Sequence, residues 1–263
     1  MNNIEIDKSQ VALRFAQAGH SYAEHAVAQK QIAVHLAGLM AKHLPSHEFS
    51  EVLEIGCGSG NLTDQLLEQL RIKKLLLNDL YVEVQQHFSA LSNSSTQIDW
   101  LIGDIEQVAL PKALNLVASC SALQWLTDFN ALTAKVHNSL SEDGYFCFSS
   151  FGPQNLIEIK NLTGQGLNYF SAAQIVDILV GNQFEILHLS EQRYHLDFTH
   201  PKQVLQHLKA TGVTATASGY RWTKQSLQKF YQDYQQFSEK DEAGHLQYAL
   251  TYHPIFCIAR RMP

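Results

Sequence analysis

Val52-Leu-Glu-Ile-Gly56-Cys-Gly58-Ser-Gly60-Asn-Leu-Thr63 reads as a short apolar strand that runs into a glycine-rich turn and out into a helix. Such a turn lets backbone approach a ligand closely and aims N–H groups at negative charge. The dinucleotide fingerprint G-x-G-x-x-G would require glycine at position 61. Asn61 stands there, so the spacing suits a nicotinamide cofactor poorly.

Outward from that turn the chain alternates strands with helices. Glu51–Cys57 is the first expected strand and Asn61–Leu70 a helix with Leu62, Leu66, Leu67 and Leu70 on one face. Lys74–Leu80 reads as a second strand, Tyr81–Leu91 as a helix, Ile98–Ile105 as a third strand and Leu114–Cys120 as a fourth. Phe129–Leu140 reads as a helix stopped by Glu142-Asp143-Gly144, and Tyr145–Phe151 as a fifth strand. Apolar strands alternating with amphipathic helices imply parallel β-α-β units, with right-handed crossovers placing helices on both faces of one sheet. Ligands of such sheets sit beyond the carboxyl ends of the strands.

The flanks are less regular. Residues 9–43 carry helical spacing in two runs, one through Val11, Phe15 and Ala18 and one from Tyr22 to Met40, and Pro45 closes them. Beyond Phe151, Ser171–Leu179 suits a helix, while Phe184–Phe198 and Leu250–Arg261 are strand-rich. A helical insert at 200–245 lies between those two, expected to cover an edge or the mouth of the sheet. The whole chain, 1–263, reads as one domain with a helical cover at 9–43.

Composition narrows the partners. The formal net charge of -6 gives no global basic field, which argues against nucleic acid as the main partner. The polar opening Met1-Asn-Asn-Ile-Glu-Ile-Asp7 lacks the basic start and apolar run of a signal peptide, and no stretch is apolar enough to span a membrane. Cys57, Cys120, Cys147 and Cys257 form no C-x-x-C pair and read as thiols of a reducing compartment, with the cytoplasm as default. No metal is expected: Pro45 separates His43 from His47, and His20, His25, His195 and His200 lack ligand spacing.

The glycine turn resembles the first motif of the class I S-adenosylmethionine-dependent methyltransferases, in which an acid precedes the first glycine by two; Glu54 fills that place. On that likeness Gly56, Gly58 and Gly60 cradle the cofactor. Asp79, ending the second strand, accepts from the ribose hydroxyls, and Asp104 after the third strand suits the adenine amino group, with Ile105 packing on the ring. Ser121-Ala-Leu-Gln124-Trp125 suits the methionine end. Asp99 and Glu106 are nearby acids without an assigned role.

Over most of its length the chain resembles the malonyl-acyl-carrier-protein O-methyltransferases of biotin synthesis. The likeness is carried by Arg14-Phe15, Tyr22, Ala26 and Gln29, by Gln124-Trp125, by Phe151-Gly-Pro-Gln-Asn-Leu156 and by Leu250-Thr-Tyr252-His253. Asp79-Leu-Tyr81 departs from it, many relatives having a small residue after the acid. The resemblance implies an α/β, Rossmann-like class I methyltransferase fold: a mainly parallel seven-stranded sheet with helices on both faces, and the insert before the last strand. It implies methyl transfer from S-adenosylmethionine to the free carboxylate of malonyl-acyl carrier protein. The neutral ester then passes as an ordinary primer toward the pimeloyl chain.

A malonyl carboxylate is ionised at neutral pH and needs no general base. It needs a group that fixes its geometry. Arginine suits that role, and Arg14, Arg193 and Arg221 are the candidates, with Lys160 a less specific one. Tyr22 and Gln29, seven apart, share a helical face that can close over the cofactor. Residues 198–232 contain no Asp or Glu but hold Lys202, Lys209, Arg221, Lys224 and Lys229, a candidate docking face for an acidic carrier protein. The residues leave open whether carrier protein or coenzyme A presents the malonyl group. Two rivals remain at this level: another small-molecule methyltransferase, with His25, His253 or Tyr252 as base, and a cofactor-binding protein without turnover.

Overall fold

A computed structural model of the protein describes residues 7–13, 26–93, 95–212 and 222–263, without the side chains of 90–93. β1 (Glu48–Ile55) lies at the centre of a seven-stranded sheet, paired in parallel with β2 (Arg71–Asp79) on one side and β4 (Leu114–Cys120) on the other. Both of its faces are therefore covered, which is why Val52 and Leu53, pointing opposite ways, are each fully buried. The order is β3-β2-β1-β4-β5-β10-β6, with β3 at Gln97–Ile102, β5 at Leu140–Phe151, β6 at Phe184–Glu191 and β10 at Pro254–Arg261. Only β10 runs against its neighbours, β5 and β6. Strand order reverses between β1 and β4, and that reversal opens a crevice at their carboxyl ends.

Helices cover both faces. Ile32, Leu36 and Met40 of α2 (Val27–His43) and Leu62 and Leu66 of α3 (Asn61–Gln69) pack with Val52, Leu75 and Leu116. On the opposite face, Leu132 and Val136 of α4 (Phe129–Ser139) and Ile175 and Leu179 of α6 (Ala172–Gly181) pack with Leu53, Val117 and Phe148. The stop and start signals are local. Asp128 caps α4 by accepting from the Ala131 N–H at 2.8 Å, and Ser171 and Gln174 close a capping box on α6. Residues 8–13 form a helical stretch, α1, and a seven-residue α5 (Ile157–Thr163) follows β5.

Several boundaries differ from the sequence reading. Val82–Asn93 winds as a tighter 3-10 helix, and β3 stops at Ile102, before Gly103 and Asp104. α4 ends at Ser139 because Leu140 already pairs with Leu114; Glu142-Asp143-Gly144 then falls inside the irregular start of β5 and does not stop the helix. The larger difference lies in the strand-rich runs that flank the insert. The two strand-rich runs each change sheets. Phe184–Phe198 divides into β6 and β7 (Tyr194–Phe198), and the C-terminal run into β9 (Leu246–Tyr252) and β10. β7, β9 and the short β8 (Ser238–Lys240) form a separate antiparallel sheet in the order β7-β9-β8. The segment set apart from the main sheet thus spans 194–252 and is mixed α+β, carrying α7 (Pro201–Ala210) and α8 (Lys224–Asp233). Its Val204, Phe230, Tyr234 and Leu250 belong to the same apolar cluster as α2 and α3. Period-two patterning cannot reveal a change of sheet at one residue: His253 alone separates β9 from β10, its backbone held by Gly152 N–H and by Asn155 Oδ1. Among the described residues no helix is long and apolar enough to cross a membrane.

Candidate functional site

β1 ends at Ile55 between two paired neighbours, and the chain escapes through three left-handed glycines: Gly56 at φ +69°, Gly58 at +52° and Gly60 at +87°. They serve different purposes. A Cβ at Gly56 would lie 2.4 Å from Ala122 Cβ, so that glycine lets the exits of β1 and β4 close together. A Cβ at Gly58 would meet no protein atom within 4 Å; the space it would fill is the crevice itself. Gly60 does not line the pocket. It caps α3 from behind, with Phe88 3.1 Å from its Cβ position.

Three N–H groups of the turn are engaged within the protein, where the glycine-rich turn is expected to aim them at a ligand. Cys57 N–H donates to the Asn78 carbonyl at 2.9 Å, Gly58 N–H to Asp79 Oδ2 at 2.8 Å and Gly60 N–H to the Cys57 carbonyl at 2.9 Å. With those donors spent, carboxylates dominate the field. Glu54 is 1 % exposed, accepts from Thr63 Oγ1 at 2.6 Å, and has its pKa pushed up to about 8 by burial, the charge of Asp79 adding to the effect. Asp79 also accepts from Leu80 N–H at 2.7 Å, yet burial holds its carboxyl above the usual range. Three acids line the site: Asp104 is paired with Lys8, and burial disfavours the anions of Glu54 and Asp79, a penalty that a bound cation offsets.

Eight sequence-predicted residues line this one pocket: Glu54, Gly56, Gly58, Asp79, Asp104, Ile105, Ser121 and Gln29. Asn78 ties the ends of β2 and β3 together, donating to the Leu101 carbonyl at 2.7 Å and the Gly103 carbonyl at 3.0 Å, which fixes where Asp104 emerges. Ser121 leaves β4 at φ +53°, its N–H held by Ser149, and its carbonyl accepts from Gln124 Nε2 at 2.6 Å. Gln29 of α2 is buried, and its Oε1 has no partner among the described residues. An orphaned buried acceptor at a cavity wall marks a contact that a ligand completes. The glycine space, the acids and this acceptor fit S-adenosylmethionine, a ligand with a sulfonium and an ammonium.

Sequence reasoning missed Lys8. From α1 it reaches both oxygens of Asp104, at 2.7 and 2.6 Å, and pairs with Glu106; with Val11 it closes one end of the pocket. Glu106 has a role after all. Its carboxylate accepts from the backbone of Thr127 at 3.0 Å and of Asp128 at 2.7 Å, pinning the chain before α4. Burial opposes ionisation there, but Lys8 and those two N–H groups leave its pKa lowered. Asp99 pairs with Lys74 at 3.2 Å.

A second, smaller pocket adjoins the first, sharing Gln29, Ser121 and Trp125. Its other walls come from Gln124, from Phe151 at the end of β5 and Asn155 and Leu156 beyond it, from Leu167 and Tyr169, and from Thr211 and Tyr252 of the insert. Of the three candidate arginines, Arg14 and Arg221 lie outside the described residues, as do Tyr22 and His25. Arg193 lines neither pocket; it is exposed and donates to Gln154 Oε1 at 3.0 Å. Lys160 is exposed on α5 and lines neither pocket. His253 is likewise engaged away from both, accepting from Gln154 N–H at 3.2 Å and facing Glu191 at 3.3 Å. Tyr252 forms a wall of the second pocket, its hydroxyl 2.8 Å from His207 Nε2. Lys202 and Lys209 stand exposed on α7, and Lys224 and Lys229 on α8; Lys229 is paired with Asp233 at 2.8 Å.

A family model of a methyltransferase domain matches residues 53–148, the segment from β1 to β5. A malonyl-acyl-carrier-protein O-methyltransferase from Acinetobacter baylyi is 46% identical over 98% of this chain and 98% of its own length. A protein of the same name from Bacteroides thetaiotaomicron is 38% identical over 97% of this chain and 99% of that one. Another, from Bacteroides fragilis, is 39% identical over 95% of this chain, which spans only 50% of that longer protein. Among solved structures, an S-adenosylmethionine-dependent methyltransferase from Mesorhizobium loti superposes with a TM-score of 0.52 at 16% identity, covering 85% of this chain and 96% of that one. A Haemonchus contortus phosphoethanolamine N-methyltransferase in complex with S-adenosyl-L-methionine gives 0.53 at 13% identity, over 87% of this chain and 52% of that one. At such identities the structures speak for the fold alone.

Proposed function

The chain belongs to the malonyl-acyl-carrier-protein O-methyltransferases, and from that premise we propose that it methylates the free carboxylate of malonyl-acyl carrier protein, with S-adenosylmethionine held in the larger pocket. The observation that carries this reading is the pair of adjoining pockets: an acid-lined one that suits a cation, and beside it, sharing Gln29, Ser121 and Trp125, a smaller one with no charged residue among the described residues that line it.

Gly56 and Gly58 give the cofactor its approach, Asp79 takes the ribose hydroxyls and Asp104 the adenine amino group, beside Ile105. Glu54, Gln29 and Ser121 face the methionine end. When bound, S-adenosylmethionine would supply an electrophilic methyl group on sulfur, so that transfer to a carboxylate oxygen would give a methyl ester and leave the bonding pair on sulfur as a neutral thioether. No proton moves, so no base is required of this chain. Its contribution is to align the carboxylate oxygen with the methyl carbon and to keep water out, proximity being worth up to roughly 7–11 kcal/mol in favourable cases. Lys202, Lys209 and Lys224, exposed on α7 and α8 and without an ion pair among the described residues, offer a carrier protein positive charge, and Lys229 offers less because Asp233 holds it.

The test is transfer of labelled methyl from S-adenosylmethionine to purified malonyl-, acetyl- and succinyl-loaded carrier protein. Label on the malonyl form alone is the expected result. Label on none of them, with the cofactor tightly bound, removes the substrate assignment.

A further inference from the structure

The smaller pocket has neutral walls: no Lys, Arg or His lines it among the described residues. Phe151, Leu156 and Leu167 supply apolar surface, so the polar groups between them must provide any specificity for a charged ligand. Their hydrogen bonds show which are free. Tyr252, 1 % exposed, meets His207 Nε2 at 2.8 Å and also Gln29 and Thr211, and Thr211 Oγ1 donates to the His207 carbonyl at 2.9 Å. Gln124 Nε2 is spent on the Ser121 carbonyl, leaving a buried Oε1 without a partner among the described residues. Asn155 is fixed at both ends: its Oδ1 accepts from His253 N–H at 3.2 Å, and its Nδ2 donates to the Tyr169 hydroxyl at 3.0 Å.

That last contact orients a proton. Because the Tyr169 oxygen is the acceptor for Asn155, its own O–H is left to donate elsewhere, and it has no acceptor among the described residues. Burial pushes the Tyr169 hydroxyl up to about 12, so it stays a donor throughout the neutral range.

We infer that the smaller pocket receives the malonyl head of the substrate and that the Tyr169 hydroxyl, aimed by Asn155, donates to its carboxylate. This rests on the carboxyl-methylation reading and deepens it. The chemistry favours a single neutral donor over an arginine. A guanidinium fork occupies both carboxylate oxygens, whereas one hydroxyl leaves the second oxygen with its lone pairs uncommitted. The walls then select a short acyl thioester ending in a carboxylate over one ending in a methyl group. Tyr169 is a substrate-binding residue in this account, and Asn155 a positioning residue.

The experiment measures equilibrium binding of malonyl- and acetyl-carrier protein to the full chain with S-adenosylhomocysteine bound, so that nothing turns over. The wild type is expected to prefer the malonyl form by about ten- to hundredfold, the range of a hydrogen bond to a charged group. Tyr169→Phe should lose most of that preference while its affinity for the acetyl form and for S-adenosylhomocysteine stays unchanged. The ring, packed 6.4 Å from Phe151 centre to centre, is kept in this variant, and wild-type thermal unfolding checks that the fold is kept too. A malonyl preference retained in Tyr169→Phe overturns the assignment, even if the wild type methylates malonyl-carrier protein. A wild type that neither prefers nor methylates the malonyl form overturns the carboxyl-methylation reading and this inference together.

Discussion

Along the carboxyl ends of β1 to β4 the pocket sets glycines and three carboxylates among apolar side chains, on a sheet in which β1, β2 and β4 are paired on both sides and β3 forms the edge. Across from them the smaller pocket is walled by aromatic and amide side chains from the segment after β5 and from the insert. The first region is built from positions where one residue type is required; the second from positions where shape and hydrogen-bond direction matter more than identity. The difference teaches where to expect sharp and graded effects of substitution.

The largest effect is expected at Gly58. Valine there adds atoms to a space that no protein atom occupies, at φ +52°. S-adenosylmethionine affinity by calorimetry should fall at least about a hundredfold, consistent with losing backbone approach at a left-handed site. Gly56→Ala should instead damage folding, since its Cβ would meet Ala122, and a lowered melting temperature checks this. Equal phenotypes at the two glycines would break the distinction drawn between them.

On the insert side, buried Glu158 accepts from the Thr251 backbone at 3.1 Å and from the Thr251 hydroxyl, joining α5 to β9. Glu158→Ala should cost about 1–3 kcal/mol in urea unfolding while leaving cofactor affinity unchanged. A loss of cofactor affinity as large as that of Gly58→Val would show the two regions to be one unit.

Glu54 couples the first region to pH. Its pKa rises from 4.5 to about 8 on folding, chiefly through burial. A raised pKa means that the stabilising protonated form is fully present below 4.5 and that the contribution is lost as pH rises through about 8. Unfolding free energy should therefore fall across that window in the wild type, and fall less in Glu54→Gln. Parallel profiles for the two proteins would remove Glu54 as the titrating group.

The smallest effect is expected at the docking face. Reversing Lys202, Lys209 and Lys224 to Glu should raise KM for a carrier-protein substrate about tenfold at low salt, less at high salt, and spare malonyl-coenzyme A. Equal loss with both substrates would place these lysines outside the docking surface.

The same contrast governed what could be read from the sequence. Glu54, Gly58, Asp79 and Asp104 are legible through the likeness of the glycine turn to a methyltransferase motif and through their places at strand ends, and they meet in one pocket. Gly60 was legible as a glycine but not in its purpose, since a pattern does not say which side of a turn faces the ligand. Lys8 and Tyr169 carried no local signal; Lys8 matters through Asp104, ninety-six positions away, and Tyr169 through Asn155. Asn155 itself lies in the quoted Phe151–Leu156 run, so its presence was visible and its partner was not. The second sheet was not legible, because β7 and β9 continue the strand-rich runs of β6 and β10 without a break in apolar pattern. Arg193 attracted attention by its chemistry, and the fold turns it toward Gln154.

The most direct test of the central claim is a competition in one vessel: malonyl-, succinyl- and acetyl-carrier protein at equal concentration, limiting enzyme, S-adenosylmethionine in excess, and intact-mass detection of each carrier. A methyl ester is expected on the malonyl form, with the others unmodified while malonyl substrate remains. Methylation of the succinyl form at a comparable rate, or of none of the three, would contradict it.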